Sequence, residues 1–342
     1  MKKPVRPPAV EPGRLLELID RFAGIRVAVF GDLIVDEFVY GEIARVSREA
    51  PVLILDYRST ELVPGGAGNA ANNVAALGGL PVVTGVVGRD EPGRRLLAAL
   101  QKQADVRGVV RPAGQLTPTK TRILAGGIHS AKQQVVRIDR ATMTNLSEGD
   151  RRAVESRLLK AVDRCDAMLI SDYGRGLVTP ATAAAAAARL RARHAPVLVD
   201  SRYALLRFRG MTACTPNESE VEQLLDIRIG EHARVLERAG RELLKRTRAQ
   251  AVLITRGSRG MALFERDRPT VHIPIHGSDQ IADVTGAGDT VIATMTLALA
   301  AGGTLEEGTR LANYAGGLVV MKRGTATVSA DELRLAVLTD AG

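Results

Sequence analysis

The segment from Asp283 to Asp289, Asp-Val-Thr-Gly-Ala-Gly-Asp, holds the residues with the clearest chemical potential. Gly286, Ala287 and Gly288 have little or no side chain, so their backbone N–H groups can approach a ligand at the start of the helix that follows. Such helix starts attract anions, because their amides are unpaired and the helix dipole is positive there. Asp289 could take a proton from a hydroxyl that attacks phosphorus. The alternative is a glycine-rich cap in which the dipole stabilises Asp289.

A second glycine cluster, Gly-Gly-Ala-Gly-Asn-Ala-Ala-Asn-Asn, covers residues 65–73. Gly66, Gly68 and Ala71 match a variant of the dinucleotide-binding fingerprint, but no clear buried strand precedes them, so the match is weak. The glycines could instead let the backbone approach a sugar, with Asn69 as a ligand of a hydroxyl group. A helix start that needs close packing is the alternative.

Asn217 and Glu220 follow a Thr-Pro pair at the end of a predicted strand. Amide and carboxylate oxygens suit Mg²⁺, which retains waters, so they predict a magnesium site reached through water. Capping of the next helix competes with this interpretation and is favoured for the segment by itself. The sequence contains no Gly-Lys pair, no His-Glu-x-x-His and no Gly-x-Ser-x-Gly, so a P-loop, a zincin-type site and a hydrolase elbow are unsupported.

The composition indicates a globular protein with anionic ligands. Its 342 residues are 45% hydrophobic and carry a net charge of +9. Aromatic residues make up 3% and tryptophan is absent, which argues against nucleic acid as a partner and favours a phosphorylated small substrate. No apolar run reaches the roughly 18–20 residues of a membrane span, so no membrane partner is expected. Cys165 and Cys214 lack metal-ligand spacing, which predicts a reducing cytoplasm.

Short β-branched runs alternate with longer helical patterns, which predicts an α/β fold with a mostly parallel sheet flanked by helices. Thr179 and Pro180 supply an N-cap and a first-turn proline for an alanine-rich helix. Ligands of such folds bind at the carboxyl ends of the strands. The predicted strands are Ile25–Phe30, Pro81–Val87, Ala167–Ser171, Pro196–Asp200, Thr212–Thr215 and Ala251–Thr255.

Two β-rich segments, residues 39–57 and 119–139, interrupt this alternation and predict a small second sheet. Such an addition serves as a lid or a dimer surface, and a structural flap is the alternative. Val52 and Ile54 would leave apolar surface exposed, so we expect a homodimer that forms through this lid. Residues 1–12 are predicted to form a disordered tail.

Several motifs, taken in order, resemble the ribokinase-like (PfkB) family of carbohydrate kinases, and the resemblance covers nearly the whole chain. It implies a single kinase domain over residues 13–342 with a small β-sheet lid, ATP as the phosphoryl donor and Mg²⁺ as cofactor. An inactive kinase scaffold with a regulatory or nucleic-acid-binding role is an alternative that the intact 283–289 segment argues against. The motifs are Gly31–Asp36, the cluster at Gly65 and Gly66, Asn217–Glu220, Thr255–Gly257 and Asp283–Asp289.

Within this family, the chain is most similar to bacterial kinases of D-glycero-β-D-manno-heptose 7-phosphate. This implies phosphorylation of the anomeric hydroxyl to the 1,7-bisphosphate, for ADP-heptose and lipopolysaccharide core synthesis. Another sugar kinase, for a ketose phosphate, ribose or a nucleoside, is the alternative. Arg48 replaces a usual proline, and Arg175 and Arg202 replace lysines, which changes the geometry of phosphate contacts. Many relatives also contain a nucleotidyltransferase domain. No room for one remains after the kinase motifs, so this sequence is expected to be the kinase alone. The similar stretches are residues 45–52, 87–93, 133–139, 171–173 and 324–328.

The resemblance also implies roles for single residues around the reacting groups. Asp289 would be the general base, and Gly286, Ala287 and Gly288 would form the anion hole. Mg²⁺ would bridge phosphates near Asn217 and Glu220, with water between the ion and these side chains. The implied nucleotide-side residues are Asn217, Glu220, Thr255, Gly257, Asp283, Asn313 and Gly317.

Two further sets would contact the sugar. Asp36, Gly65, Gly66 and Asn69 are expected to face its hydroxyl groups. Basic residues are candidates for the phosphate ends of the two substrates, and a solvated surface position is the alternative for each arginine. These basic candidates are Arg45, Lys120, Arg122, Arg175 and Arg202.

Overall fold

A computed structural model describes residues 10–126, 132–140, 143–277, 283–322 and 324–341. Within this part of the chain, a central sheet of eight strands has the order β12-β11-β10-β9-β8-β7-β1-β4. Neighbouring strands from β10 to β4 are parallel, and β11 and β12 add antiparallel at one edge. The strands are β1 Arg26–Gly31, β4 Leu80–Thr84, β7 Ala167–Asp172, β8 Val197–Ser201, β9 Ala213–Cys214, β10 Ala251–Thr255, β11 Met261–Glu265 and β12 Val271–Ile273.

Helices cover both faces of this sheet, so the inner strands are apolar almost throughout. In β1, Val27 and Val29 belong to one core, whereas Ala28 and Phe30 belong to the other. Helices α1, α2, α3, α8, α9 and α10 pack on the first core, and α4, α5, α6 and α7 on the second. Their bounds are α1 Pro12–Asp20, α2 Ala67–Ala76, α3 Glu91–Leu100, α4 Glu148–Val162, α5 Pro180–Arg191, α6 Glu218–Leu225, α7 Ala233–Thr247, α8 Ala287–Ala300, α9 Leu305–Val319 and α10 Ala330–Ala341.

A separate four-stranded sheet, which we call the lid, has the order β3-β2-β5-β6. Strands β2 and β3 form a long antiparallel hairpin, β5 pairs parallel with β2, and β6 is exposed along its whole length. The lid strands are β2 Leu33–Val46, β3 Leu53–Gly66, β5 Thr119–Gly126 and β6 Gln133–Arg140.

The predicted fold class is confirmed, including the second small sheet. The lid is longer than the predicted segments, because β2 begins at Leu33, directly after β1, and β3 continues to Gly66. Helix α5 begins as predicted, with Thr179 accepting a hydrogen bond from the backbone N–H of Thr182 and Pro180 in the first turn. The predicted tail lies mostly outside the described residues, and the single-domain assignment stays a prediction.

No helix within the described ranges combines the length and the apolar character needed to cross a bilayer.

Candidate active site

The segment Asp283–Asp289 leads into helix α8 and forms its first turn. Gly286 is its N-cap residue and has φ +79°, in the left-handed region that favours glycine. A Cβ atom at this position would lie 2.5 Å from Nδ2 of Asn69, so glycine is required for space as well. Gly288 differs, because a Cβ atom there would meet only Oδ2 of Asp200, at 3.7 Å. Ala287 and Gly288 both border open space at this end of the helix, and the N–H of Ala287 also donates to the backbone oxygen of Val284 at 3.3 Å.

Asp289 lies at the carboxyl end of the large sheet, in the first turn of α8, with only 3% of its surface exposed. The side-chain amide of Asn69 donates to its Oδ2 atom at 2.9 Å, and the hydroxyl of Tyr173 donates to Oδ1 at 3.3 Å. Burial raises the pKa of Asp289 to about 7, and the charge of Asp36 acts in the same direction. A carboxyl group with this pKa is suited to accept a proton at neutral pH.

A cleft of about 440 Å³ opens beside the start of α8, at the carboxyl ends of β8, β9 and β10. It brings together six of the seven residues that were predicted to border the nucleotide and its metal ion. Asp283 is the exception, because its side chain accepts hydrogen bonds from the backbone N–H groups of Thr285 and Gly324. The six predicted residues that line the cleft are Asn217, Glu220, Thr255, Gly257, Asn313 and Gly317.

Asn217 and Glu220 form a capping box at the start of α6, which was the competing interpretation. Oδ1 of Asn217 accepts from the N–H of Glu220, and Oε2 of Glu220 accepts from the N–H of Asn217, both at 2.9 Å. Burial raises the pKa of Glu220, and burial together with the Glu220 carboxylate raises the pKa of Asp200 well above its usual value. A buried carboxyl group whose pKa is raised by a neighbouring carboxylate marks a site where a cation would be favoured.

This donor set fits Mg²⁺ only if substrate phosphates and waters supply most of the ligands. The described residues contain no group of three or more His, Cys, Asp or Glu side chains that could enclose a metal ion. Mg²⁺ is commonly held by one or two carboxylates together with substrate phosphates and waters, and the cleft offers room for all of these. The chain alone therefore supplies too few ligands, and Glu220 would act with phosphate oxygens and water.

The predicted sugar side lies under the lid. The carboxylate of Asp36 forms a buried ion pair with Arg122, and a Cβ atom on Gly65 would collide with this carboxylate. Gly66 has φ +56° and is the N-cap residue of α2, which carries Asn69. The first turn of α2 therefore lies between the lid, whose strand β3 ends at Gly66, and Asp289, to which Asn69 donates a hydrogen bond.

Of the basic candidates, Lys120 lies nearest to the base. Its ammonium group is 4.6 Å from the centre of the Tyr173 ring, and burial lowers its pKa. The charges of Asp36 and Asp289 oppose that shift, which places all three groups in one electrostatic cluster. A lysine held in this way can contact an anionic group of a substrate between the lid and the base.

The remaining arginines differ in their distance from this cluster. The charge of Arg202 acts on Lys120 and Asp200, and Nε of Arg175 is buried without a partner in the described coordinates. Arg45 is exposed on β2, nine residues beyond Asp36, which is about 30 Å along an extended strand. The structure therefore does not bring Arg45 to the base within one chain.

Three residues of this site were not predicted. Tyr173 and Asp200 follow or end strands β7 and β8, where ligands of such sheets bind, and that position was the available signal. Asp32 follows β1, and its Oδ2 atom accepts from the backbone N–H groups of Tyr173 at 2.8 Å and Arg175 at 3.1 Å. This carboxylate fixes the loop that carries the Tyr173 hydroxyl to the base.

Known sequences match this chain over most of its length. A family model described as "pfkB family carbohydrate kinase" matches residues 26–332. The chain is 42% identical over 313 residues to the "Bifunctional protein HldE" of Geobacter sulfurreducens, and 43% identical over 311 residues to that of Geobacter metallireducens. Each match covers 90% of this chain and 62% of the relative, so the chain spans less than two thirds of their length.

Solved structures share the fold at low sequence identity. Phosphofructokinase-2 from Escherichia coli in complex with potassium superposes with a TM-score of 0.72 at 18% identity, covering 94% of this chain and all of that one. A ribokinase from Arabidopsis thaliana complexed with ribose and ATP gives 0.67 at 21% identity, covering 93% of this chain and 98% of that one. The fold is therefore ribokinase-like, as the motifs implied.

Proposed function

Because this chain belongs to the pfkB family of carbohydrate kinases, we propose that it transfers the γ-phosphoryl group of ATP to the anomeric hydroxyl of a heptose 7-phosphate. The observation that carries the proposal is the buried Asp289, with a pKa raised to about 7, between the cleft and the lid. The product would be D-glycero-β-D-manno-heptose 1,7-bisphosphate, a precursor of ADP-heptose and the lipopolysaccharide core.

In this mechanism Asp289 accepts the hydroxyl proton as the sugar oxygen bonds to the γ-phosphorus, and the bond from that phosphorus to the ADP oxygen breaks. The N–H group of Gly288 stabilises charge on the transferring phosphoryl group, because Ala287 and Gly288 line the cleft at the start of α8, whereas the N–H group of Ala287 is shared with the backbone oxygen of Val284 at 3.3 Å. Mg²⁺, when bound near Glu220, would neutralise phosphate charge. The Asn69 and Tyr173 hydrogen bonds hold the carboxylate in place for the proton transfer.

The basic groups under the lid support a phosphorylated sugar over a neutral one. Lys120, Arg122 and Arg202 interact electrostatically within one cluster beside the base, while Arg175 presents a buried, unpartnered Nε atom. Arg122 is paired with Asp36, but in the part of the chain that the structure describes neither Lys120 nor Arg202 forms an ion pair, which leaves both able to meet a phosphate group. The similarity to bifunctional HldE proteins supports heptose 7-phosphate within this class of substrates.

The assembly and location that we propose follow from the same features. The lid leaves several large apolar side chains exposed, which supports a homodimer with lids in contact. Both cysteines are free and buried, which supports a reducing cytoplasm, where ATP is available.

A substrate panel tests the proposal. ADP release and ³¹P NMR of the products would be followed with heptose 7-phosphate, fructose 6-phosphate, ribose, adenosine and free heptose. We expect the highest kcat/KM with heptose 7-phosphate and a new anomeric phosphate signal. A preference of tenfold or more for another sugar would overturn the heptose assignment and retain the kinase. If no sugar in the panel supports ATP turnover, both the heptose assignment and the kinase activity would be overturned.

A further inference from the structure

A chain of four polar side chains joins α2 to α8 beneath the base. The hydroxyl of Thr290 lies 2.9 Å from Oδ1 of Asn73, whose Nδ2 atom lies 3.3 Å from Oδ1 of Asn69 and 3.0 Å from its backbone oxygen. Nδ2 of Asn69 then lies 2.9 Å from the Asp289 carboxylate. Thr290, Asn73 and Asn69 are completely buried, so their polar groups rely on protein partners, which include the backbone oxygen of Gly286 at 3.4 Å from both Asn69 Nδ2 and the Thr290 hydroxyl.

This chain can run in only one direction. A carboxylate accepts hydrogen bonds, so Asn69 must present its NH₂ group to Asp289 and its carbonyl oxygen to Asn73. Asn73 must then present its own NH₂ group to Asn69, which leaves its carbonyl oxygen for Thr290. The Thr290 hydroxyl can donate a hydrogen bond to this carbonyl oxygen, and it needs no donor in return. If Asn69 were reversed, its carbonyl oxygen would face the carboxylate, which is repulsive.

We propose that Thr290 and Asn73 are positioning residues that fix the orientation of the Asn69 amide, so that it always donates to the catalytic carboxylate. The inference rests on the proposed role of Asp289 as general base. The Thr290 hydroxyl has a second acceptor, the backbone oxygen of Gly286 at 3.4 Å, but the Asn73 oxygen is closer. Without the threonine donor, the Asn73 amide is held only by its contacts with Asn69, and the side chain that faces Oδ1 of Asn69 is less firmly fixed.

The same helix offers a matched control. Thr294 is also completely buried on α8, one turn after Thr290, but its hydroxyl donates to the backbone oxygen of Thr290 at 2.8 Å. Thr294→Val and Thr290→Val therefore remove the same atoms from the same helix and the same depth. Only Thr290→Val interrupts the chain that ends at Asp289.

Four other charged or titratable groups around Asp289 can also change its pKa. Asp36 from β2, Lys120 from β5, Tyr173 after β7 and Asp200 from β8 all interact with it electrostatically. None of them contacts Thr290 or Asn73 through a recorded hydrogen bond or ion pair in the described residues. The Thr290 hydroxyl also contacts the backbone oxygen of Gly286, so a shift in the titration of Asp289 that Thr290→Val and Asn73→Leu share identifies Asn73 and Asn69 as the route.

The first test is the pH dependence of kcat/KM for Thr290→Val, Asn73→Leu and Thr294→Val, with the sugar on which the wild-type chain is most active. Loss of a donor to a carboxylate raises its pKa, so we expect the acid limb to move up by about 0.5–1 unit in the first two variants. At pH 7 this is roughly a twofold to sixfold loss, which pH 9 should restore. Thr294→Val should keep the wild-type profile.

The second test needs no substrate. Thermal unfolding of the same variants would be followed from pH 5 to pH 9, alone and with Asp289→Asn. We expect the Tm difference between Thr290→Val and Thr294→Val to widen as Asp289 ionises, and to stay constant in the Asp289→Asn background. Equal, pH-independent losses of Tm and rate in both threonine variants would overturn the inference. Absence of kinase activity would overturn the proposed function instead and leave this second test intact.

Discussion

Asp289 must be buried to be a strong enough base at neutral pH, and that burial opposes the charge that it needs for the reaction. Burial raises its pKa from 3.8 to about 7, while the Asn69, Lys120 and Tyr173 interactions favour the charged form. In the unfolded chain the same group ionises near its ordinary value. The folded state therefore holds the proton more tightly between these two pH values, and folding stability falls as the pH rises through that range.

Asp289→Asn should separate the two effects. We expect kcat to fall roughly 10²–10⁴-fold with ATP affinity nearly unchanged, because the shape is kept and the base is removed. At pH 8 the variant should be more stable than the wild type by about 4 kcal/mol, which follows from a pKa rise of roughly three units at about 1.4 kcal/mol per unit, and at pH 4 the difference should nearly vanish. Steady-state kinetics and urea unfolding at both pH values measure this. Retention of half the activity would exclude the catalytic role.

The amide cradle predicts a different outcome for Gly288→Val. A Cβ atom at Gly288 meets only Asp200, at 3.7 Å, so the variant should fold, but its side chain would cover the amides that face the cleft. We expect kcat to fall about 10²–10³-fold. Gly149→Val is the matched control, since Gly149 is also the second residue of a helix and has similar free space. Near-wild-type turnover in Gly288→Val would mean that the cradle is only a cap.

At the scale of elements, the strands were open to prediction because apolar β-branched runs end in polar or glycine residues. The predicted strand Ala251–Thr255 coincides with β10, and the others agree within about three residues at either end. Strands β11 and β12 were not found, because no helix separates them from β10 and β12 is only three residues long. Alternation of strand and helix cannot reveal antiparallel additions of this kind.

The parts of the site whose residues are close in sequence could be predicted. The parts that depend on which strands lie side by side in the sheet were harder to predict. The cradle at residues 286–288 is local. In contrast, the hydrogen bond from Tyr173 to Asp289 joins positions 116 residues apart, and it depends on β7 lying between β1 and β8. The sequence also left capping and metal binding at Asn217 unresolved, because one amide oxygen serves either purpose and the fold decides which donor reaches it.

The carboxylate of Asp32 ties the loop between β7 and α5 to the end of β1, which makes the element testable. We expect Asp32→Ala to raise the KM for the sugar about tenfold and lower kcat, with the KM for ATP unchanged, because the loop that carries Tyr173 and Arg175 loses its anchor. Asp166→Ala is the control, since Asp166 accepts from the backbone N–H of Arg26 at the opposite end of the same sheet. Equal kinetic effects in both variants would show general destabilisation instead of loop positioning.

At the scale of the whole molecule, the lid has more apolar surface than substrate cover requires. Val52, Leu53, Val136 and Ile138 are each about half exposed on the lid or at its hairpin tip. The described part of β6 is exposed from end to end, so its outer edge is open to pairing with another chain. A second lid would bury both features at once, and it would also place the exposed Arg45 of each chain in an interface.

Val52→Glu should therefore weaken the proposed dimer and raise the KM for the sugar together, because a lid that loses its partner is less ordered over the substrate. Light scattering at micromolar concentration should show a dimer for the wild type and a larger monomer fraction for the variant. Leu335→Glu is the control, because Leu335 is 64% exposed on α10, outside the lid, and its substitution should change neither property. A monomeric wild type would contradict the lid dimer. If Val52→Glu dissociates the dimer with an unchanged KM, the two lids associate for a reason separate from catalysis, and each active site is complete within one chain.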